Sequence, residues 1–289
     1  MEQIKDFQCT YDYAAGIDEA AIGHLKLSFP DAYLHCESMV QMAQAIKDYE
    51  GAGFCILPFC HTVEAEAMGG SVNYGNQTAG PRAREYICTN VEELLQLPSI
   101  DYTRGRITEV LRACRYLRGQ GEDVVLEIAG PFTILNVLID AKYIYKAMRR
   151  QPELMNRVFE KIKSELLCYI GEAVKNGVNL ISYADSSGGV NILGPQRAAD
   201  VVRDFTYDFL CQAERIIHDR AIIALCPKTT FALLGLRKAM FSSVDLKEDM
   251  PYGKGCVELI GKESFTGQTC IKNIGFQLKN QEIKAVRLL

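Results

Sequence analysis

The chain has 289 residues, 48% of them hydrophobic, which is enough for one large domain with a sizeable core. Its net charge of -4 comes from interspersed acids and bases, with no basic block to hold nucleic acid and no acidic tail. No apolar run approaches the ~20 residues that span a bilayer. The start Met-Glu-Gln-Ile-Lys-Asp is too polar for a signal peptide, and eleven cysteines without a repeat fit a reducing, cytoplasmic setting.

Residues 1 to about 37 are weakly patterned and read as an N-terminal extension. A helix is predicted over 38–49, with Met39, Met42, Ala43 and Ile46 on one face and Gly51 and Gly53 closing it. Gly53-Phe-Cys-Ile-Leu57 is a short buried strand. Thr62 then caps a helix over 63–68 whose Glu64 and Glu66 suit the positive end of the dipole. A short strand is predicted over 71–74, a helix capped by Asn90 over 91–95, and a longer helix from 103 or 104 to about 118. Asp123-Val-Val-Leu-Glu-Ile-Ala129 is a strand, and Gly130-Pro131 opens the next helix. The strongest helix runs from Pro152 to about Asn176, with Leu154, Val158, Ile162, Leu166 and Ile170 every fourth residue. A strand over 178–184 runs into Asp185-Ser-Ser-Gly-Gly189, and Gly194-Pro195 opens a helix to about His218. Ala221-Ile-Ile-Ala-Leu-Cys226 is a buried parallel strand stopped by Pro227. Further strands are expected over 238–243, 256–260 and, last, 264–271. This alternation predicts a parallel sheet with crossover helices. The fold class is therefore α/β: a single-domain TIM (β/α)8-type barrel, shortened towards its C-terminus.

Parallel sheets bind ligands at the carboxyl ends of their strands. Cys226 ends one strand and Cys270 ends the last predicted one, so the two thiols are candidates to meet at one mouth and hold a metal. The same positions also suit two buried free cysteines. Cys60 and His61 lie at another strand-to-helix junction. Asp185 leaves its strand into a Ser- and Gly-rich bend, where it either binds and orients substrate or makes an Asx-type turn. Ser186 and Ser187 follow as weaker candidates.

Several stretches together resemble one family. They are Phe29-Pro-Asp-Ala32, Pro58-Phe-Cys-His-Thr-Val-Glu-Ala-Glu-Ala-Met-Gly69, Gly130-Pro-Phe-Thr133, Gln151-Pro-Glu-Leu154, and Gly177-Val-Asn-Leu-Ile-Ser-Tyr-Ala-Asp-Ser-Ser-Gly188 with Gly194-Pro195. Their order and spacing resemble the uroporphyrinogen decarboxylase superfamily, and within it the cobalamin-dependent methyltransferases that act on a methyl-corrinoid protein. The resemblance implies a TIM barrel with the site in its mouth. It speaks against decarboxylation: the first arginine is Arg82, the decarboxylase aspartate falls on Cys60, and its tyrosine falls on Val137.

The methyltransferase branch implies a zinc site made by a His-x-Cys at one strand end and a second Cys on the last strand. Ala224-Leu-Cys226-Pro-Lys-Thr-Thr230 matches the first element with alanine in place of the histidine, and Cys270 matches the second. A catalytic zinc takes three protein ligands and keeps one position open. Cys60 is the candidate for the third ligand, with His61 as the nearby substitute. The implied activity is methyl transfer from a methyl-corrinoid protein, with its methylcobalamin carried by that partner, to a thiol such as coenzyme M or a related acceptor. No membrane or nucleic-acid partner is implied. A non-catalytic member that only binds a tetrapyrrole, a corrinoid or a partner is the alternative.

Overall fold

A computed structural model describes residues 4–9 and 16–289. Part of the N-terminal extension expected over 1–37, residues 1–3 and 10–15, therefore lies outside the described residues. Among the described residues nine strands appear, in chain order. They are β1 (Cys55–Leu57), β2 (Val72–Asn73), β3 (Arg82–Ala83), β4 (Val124–Ala129), β5 (Leu180–Ala184), β6 (Ile222–Leu225), β7 (Ala239–Asp245), β8 (Phe265–Thr266) and β9 (Glu282–Leu288). β2 and β3 form a small ribbon, and the other seven form one sheet in the order β1-β4-β5-β6-β8-β9-β7. β1, β4, β5, β6 and β8 are parallel neighbours; β9 runs antiparallel to both β8 and β7.

The period of two along each strand sorts the side chains into two layers. Cys55 and Leu57, Val124, Leu126 and Ile128, Ile181 and Tyr183, and Ile223 and Leu225 join one core with the crossover helices. The helix Pro152–Lys175 delivers Met155, Val158, Phe159, Ile162 and Leu166 to that core, which is the stripe its spacing predicts. Phe54, Val125, Leu180, Ile222 and Ala224 face the other way, into a second core. There they meet Tyr252, Cys256 and Leu259, which belong to the helix Tyr252–Glu258 and its C-cap.

This α/β architecture, a parallel central sheet with crossover helices, is of the TIM-barrel type. The run 256–260, expected as a strand, belongs to that short helix instead. Tyr252, Cys256 and Leu259 fall at helical spacing, and Pro251 sits at the N-cap. A Cβ on Gly253 would lie 2.0 Å from a ring carbon of Phe54, so the helix lies directly on the inner face of the sheet. The expected strand over 264–271 shrinks to Phe265–Thr266, and the true last strand is β9. β9 had the alternation of a half-buried strand, with Ile283 and Ala285 inward and Lys284 and Arg287 exposed. The helix expected from Gly194 to His218 is three pieces. Gly194, with φ of 75°, breaks Val190–Val201 just before Pro195, and a π-turn over Val202–Thr206 precedes Tyr207–Ile217.

β1 and β7 are the two ends of the sheet, and among the described residues they do not pair. A cavity of 250 Å³ runs along the inner side of β1, lined in part by Phe54, Ile56, Pro58, Glu127 and Lys272.

Candidate thiol site at the sheet mouth

β6 and β8 are neighbours in register, with Ile223 opposite Phe265 and Ala224 opposite Thr266. Projecting that register two residues on sets Cys226 beside Gln268, two residues short of Cys270. Cys226 extends the ladder by one bond, donating its N–H to the Tyr183 carbonyl at 2.9 Å. Pro227 then takes the first turn of the helix Pro227–Gly235, with Cys226 as N-cap residue. Gly267 lets the chain after β8 cross this helix start closely. A Cβ there would lie 2.1 Å from Thr230 Oγ1 and 3.2 Å from Leu225 Cβ. Both thiols follow the carboxyl ends of neighbouring parallel strands, each half-buried.

The two cysteines share a local design that the sequence reading missed. Each is followed at two residues by lysine: Cys226-Pro-Lys228 and Cys270-Ile-Lys272. In each case the lysine's backbone and its ammonium favour the thiolate. Burial works against them. It pushes the Cys226 thiol up to about 12, with the neighbouring Cys270 and Cys9 adding to the rise and Lys228 opposing it. Burial likewise raises Cys270, where Glu127 and Cys9 add and Lys272 opposes. Sulfur that is desolvated yet has a cation nearby is of the kind a metal holds as thiolate once it replaces the proton.

Behind Cys270, the Lys272 ammonium meets Glu127 Oε2 at 2.7 Å, with side-chain exposures of 7% and 1%. Glu127 sits mid-strand on β4, pointing inward between Val125 and Ala129. Burial raises its pKa and Lys272 opposes the rise. A lone acid inside Val124-Val-Leu-Glu-Ile-Ala129 was the sequence signal for this pair, because a buried carboxylate needs a partner. His61 lies on the same side of the sheet. Burial first, then the Lys272 charge, pushes its pKa down to about 3, so its imidazole is neutral.

The structure does not bring Cys60 to these thiols. Cys60 joins the helix-side core, where Arg106 Nη1 donates to its sulfur at 3.2 Å and Thr62 Oγ1 lies 3.3 Å away. Thr62 makes no cap bond to its helix; its hydroxyl accepts from Arg106 Nη2 at 2.7 Å. Arg106 also pairs with Glu66, donating from Nε at 2.7 Å. The expectation of Cys60 as third ligand is corrected on this geometry: Cys60 turns its sulfur to the guanidinium.

Asp185 is 8% exposed and caps a neighbouring helix. Its Oδ1 accepts from the Thr133 N–H at 2.8 Å and hydroxyl at 2.9 Å, and its Oδ2 accepts from the Phe132 N–H at 3.3 Å. It thereby holds the start of the helix Pro131–Leu138, where carboxylate charge is favoured. Gly130 and Gly188 make room for it, since a Cβ on either would lie 2.3 or 2.2 Å from Asp185 atoms. Burial pushes its pKa up to about 6 against the Thr133 and Phe132 hydrogen bonds. The expected substrate-facing group is a positioning one. Ser186 continues the network, 3.2 Å from Thr133 Oγ1 and with its carbonyl accepting from Lys228 Nζ at 3.4 Å. Ser187 Oγ accepts from Asn136 Nδ2 at 2.8 Å. Glu64 is buried as well: its Oε1 accepts the Ala129 N–H at 2.8 Å, three residues past the last β1–β4 pair. Burial pushes its pKa up to about 7.

Among the described residues no group of three His, Cys, Asp or Glu is already arranged to hold a metal ion. The two sulfurs are of the donor type that zinc takes, one short of the three protein ligands of a catalytic zinc site.

Comparison with known proteins agrees with this architecture. The chain is 24% identical over 224 residues to the methylcobamide:CoM methyltransferase MtaA of Methanosarcina barkeri, covering 76% of this chain and 65% of that protein. It is 21% identical over 235 residues to MtbA of Methanosarcina mazei, also a methylcobamide:CoM methyltransferase, covering 80% and 69%. A uroporphyrinogen decarboxylase of Myxococcus xanthus matches at 26% over 134 residues, covering 44% and 38%. The chain thus spans about two thirds of the length of the methyltransferases it matches. A solved methyltransferase structure from Methanosarcina mazei superposes with a TM-score of 0.63 at 22% identity, covering 74% of this chain and 63% of that one, which supports the fold. The uroporphyrinogen decarboxylase (URO-D) family profile matches residues 17–255, so the span begins inside the expected extension. On that match, with the mouth assembled as described, the chain belongs to the uroporphyrinogen decarboxylase (URO-D) family.

Proposed function

We propose that the protein is a corrinoid-dependent methyltransferase that moves a methyl group from a methyl-corrinoid partner protein to a thiol, coenzyme M-like or related, at a zinc site built on Cys226 and Cys270. The observation that carries the reading is the pair of Cys-x-Lys thiols that follow the neighbouring parallel strands β6 and β8. The methylcobamide:CoM methyltransferases among its relatives support it.

Zinc at this site would supply the charge that keeps an acceptor thiol as thiolate at neutral pH, where a free thiol with pKa near ~8.5 is mostly protonated. Cys226 and Cys270 would hold it through sulfur, and the Lys228 and Lys272 charges beside them favour the thiolate. The two ammonium groups offset the negative charge that gathers when several thiolates share one small volume. Asp185 and Ser186 hold the helix starts that frame the mouth. The corrinoid stays on its partner, docked over this mouth. The protein works in solution; among the described residues no helix is long and apolar enough to cross a membrane.

The test is metal content and turnover of anaerobically purified protein. Wild type is expected to carry near one zinc per chain and to demethylate methylcobalamin with coenzyme M, followed by the cobalamin absorbance. Cys226→Ser and Cys270→Ser are expected to lose both. A wild-type protein that holds no zinc, and takes none up, refutes the zinc reading and favours a member that only binds a tetrapyrrole or a partner.

A further inference from the structure

The geometry points to a second binding site, at the free edge of β1, for a small ammonium compound that carries an amide, of the amino-acid-amide or short-peptide type. It goes beyond the methyl-transfer reading and does not rest on it: neither Cys226 nor Cys270 lines the cavity that forms it.

β1 ends the seven-stranded sheet, so only one of its sides has a partner strand. The Cys55 N–H donates to the Asp123 carbonyl at 2.9 Å, and Cys55 to Leu57 pair in parallel with Val124 to Leu126. Along a strand the backbone groups of successive residues point to opposite sides, one towards the ladder and the next towards the edge. Cys55 and Leu57 therefore bond towards β4, and the N–H and C=O of Ile56 point the other way. Among the described residues no hydrogen bond outside the β1–β4 ladder reaches either group.

The 250 Å³ cavity lies on that edge. It is lined by Ala43, Ile46 and Glu50 of the helix Cys36–Glu50, which covers one face of the sheet. It is also lined by Phe54, Ile56 and Glu127, which face the other way. A single space touches both sets only by passing the free edge of β1. Ile56 is half-buried there, so its edge groups open into a confined space. Protein N–H and C=O groups withdrawn from bulk water are almost always paired, so this edge calls for a ligand with one acceptor and one donor. An amide supplies both, in the way an added strand does.

The walls choose the rest of the molecule. Ile17, Ile46, Phe59 and Ile274 supply an apolar surface. Of the two cations in the lining, Lys47 meets Glu122 at 2.7 Å and Lys272 meets Glu127 at 2.7 Å. Asp18 and Glu50 remain, both exposed, and their charge attracts an ammonium group and repels a carboxylate. At 250 Å³ the cavity is below the ~300–1,000 Å³ of drug-sized sites, so the ligand is small.

The experiment is a ligand-observed NMR titration of the full chain, metal-free, with a urea midpoint as folding control for each variant. The probes are leucinamide, 3-methylbutylamine, which lacks the amide, and N-acetyl-leucine, which lacks the ammonium and adds a carboxylate. Leucinamide should bind wild type with a Kd below about 10 mM. Loss of the hydrogen bonds to the edge should make 3-methylbutylamine about tenfold weaker. N-acetyl-leucine should not bind. Ile56→Pro removes the edge N–H and spares the ladder, a place where proline is tolerated, and should lose most of the preference for leucinamide. Glu50→Gln should weaken both amines by about threefold and leave that preference intact. Cys226→Ser should bind leucinamide as wild type does, so this site and the zinc reading fail separately. Leucinamide that binds wild type no better than 3-methylbutylamine or N-acetyl-leucine overturns the inference, as does a leucinamide Kd above about 10 mM. A folded Ile56→Pro protein that keeps the preference overturns it too. If Ile56→Pro does not fold, Glu50→Gln with unchanged affinity for both amines does the same.

Discussion

The Glu127–Lys272 pair sets a testable energy for the inner face. Lys272→Met keeps the length of the stem and removes the charge, leaving Glu127 at 1% exposure without the ammonium that stands 2.7 Å away. Breaking a buried pair by removing one partner costs about 3–5 kcal/mol. Protonation of Glu127 puts a ceiling on that loss. Holding neutral, at pH 7, a carboxyl with an unfolded pKa near ~4.3 costs about 3.7 kcal/mol; at pH 5 it costs about 1 kcal/mol. In the variant the folded-state pKa of Glu127 rises further above its unfolded value. Its stability is therefore complete below about pH 4 and is lost as pH rises towards 7. Urea unfolding should give Lys272→Met a loss of about 3–4 kcal/mol at pH 7 and about 1 kcal/mol at pH 5. The double variant Glu127→Met/Lys272→Met should recover to within about 1 kcal/mol of wild type or exceed it, because an apolar pair of similar volume owes no desolvation. A Lys272→Met loss below about 1 kcal/mol at pH 7, or one equal at both pH values, refutes the account of this pair as a coupled buried charge.

Three further outcomes follow from the same coordinates. Asp185→Ala removes the acceptor for three donors at the start of the helix Pro131–Leu138 and should cost about 2 kcal/mol in urea unfolding; Asp185→Asn, which keeps one acceptor oxygen, should cost about half of that. Asp185 and Glu64 have pKa values pushed up to about 6 and about 7 by burial, above their unfolded values. The folded chain thus binds protons that the unfolded chain has released, so stability should fall as pH rises from about 4 to about 7. Potentiometric proton uptake on refolding at pH 5.5, set as about mid-window, checks the sign, and proton release there would contradict it. Gly253→Ala would place a Cβ 2.0 Å from the Phe54 ring and should destabilise by about 1–3 kcal/mol, recovered in part by Phe54→Leu; an unchanged urea midpoint would show that the inner helix is not seated on β1.

The crossover part of the fold was legible because each element carries its own period. Leu166 and Ile170 repeat at helical spacing in Pro152–Lys175, and Val124 to Ala129 form an apolar run that only a strand with two covered faces accepts. The C-terminal third was not legible for a physical reason. Cys256-Val-Glu-Leu-Ile260 has the residue types of a strand, yet it has no sheet edge to join, and Tyr252, Cys256 and Leu259 bury better as one face of a helix. Phe265–Thr266 stays two residues long because the close approach of Gly267 to Thr230 ends it, leaving the outer place to β9. Among candidate site residues, Cys226 directly follows its strand as expected, while Cys270 lies four residues past the short β8. Cys60 was misjudged because its direction depends on how the chain turns between β1 and its helix, and Arg106, forty-six residues away, sets that direction.

What unites the mouth is that two unrelated local structures present sulfur in the same way. Cys226 is the N-cap residue of a nine-residue helix, while Cys270 lies in the turn after a two-residue strand. Both are followed at two residues by a lysine whose charge favours the thiolate. Each stands where the chain folds back: the Cys226 carbonyl accepts the Thr229 N–H and the Cys270 carbonyl the Asn273 N–H, both at 2.9 Å. A cation beside sulfur stabilises the thiolate over the thiol, so the arrangement works against the burial that raises both thiols. Two buried cysteines serving only as small hydrophobes need no such cation. The lysine repeated at both thiols is therefore what favours the proposed metal-holding mouth over simple packing.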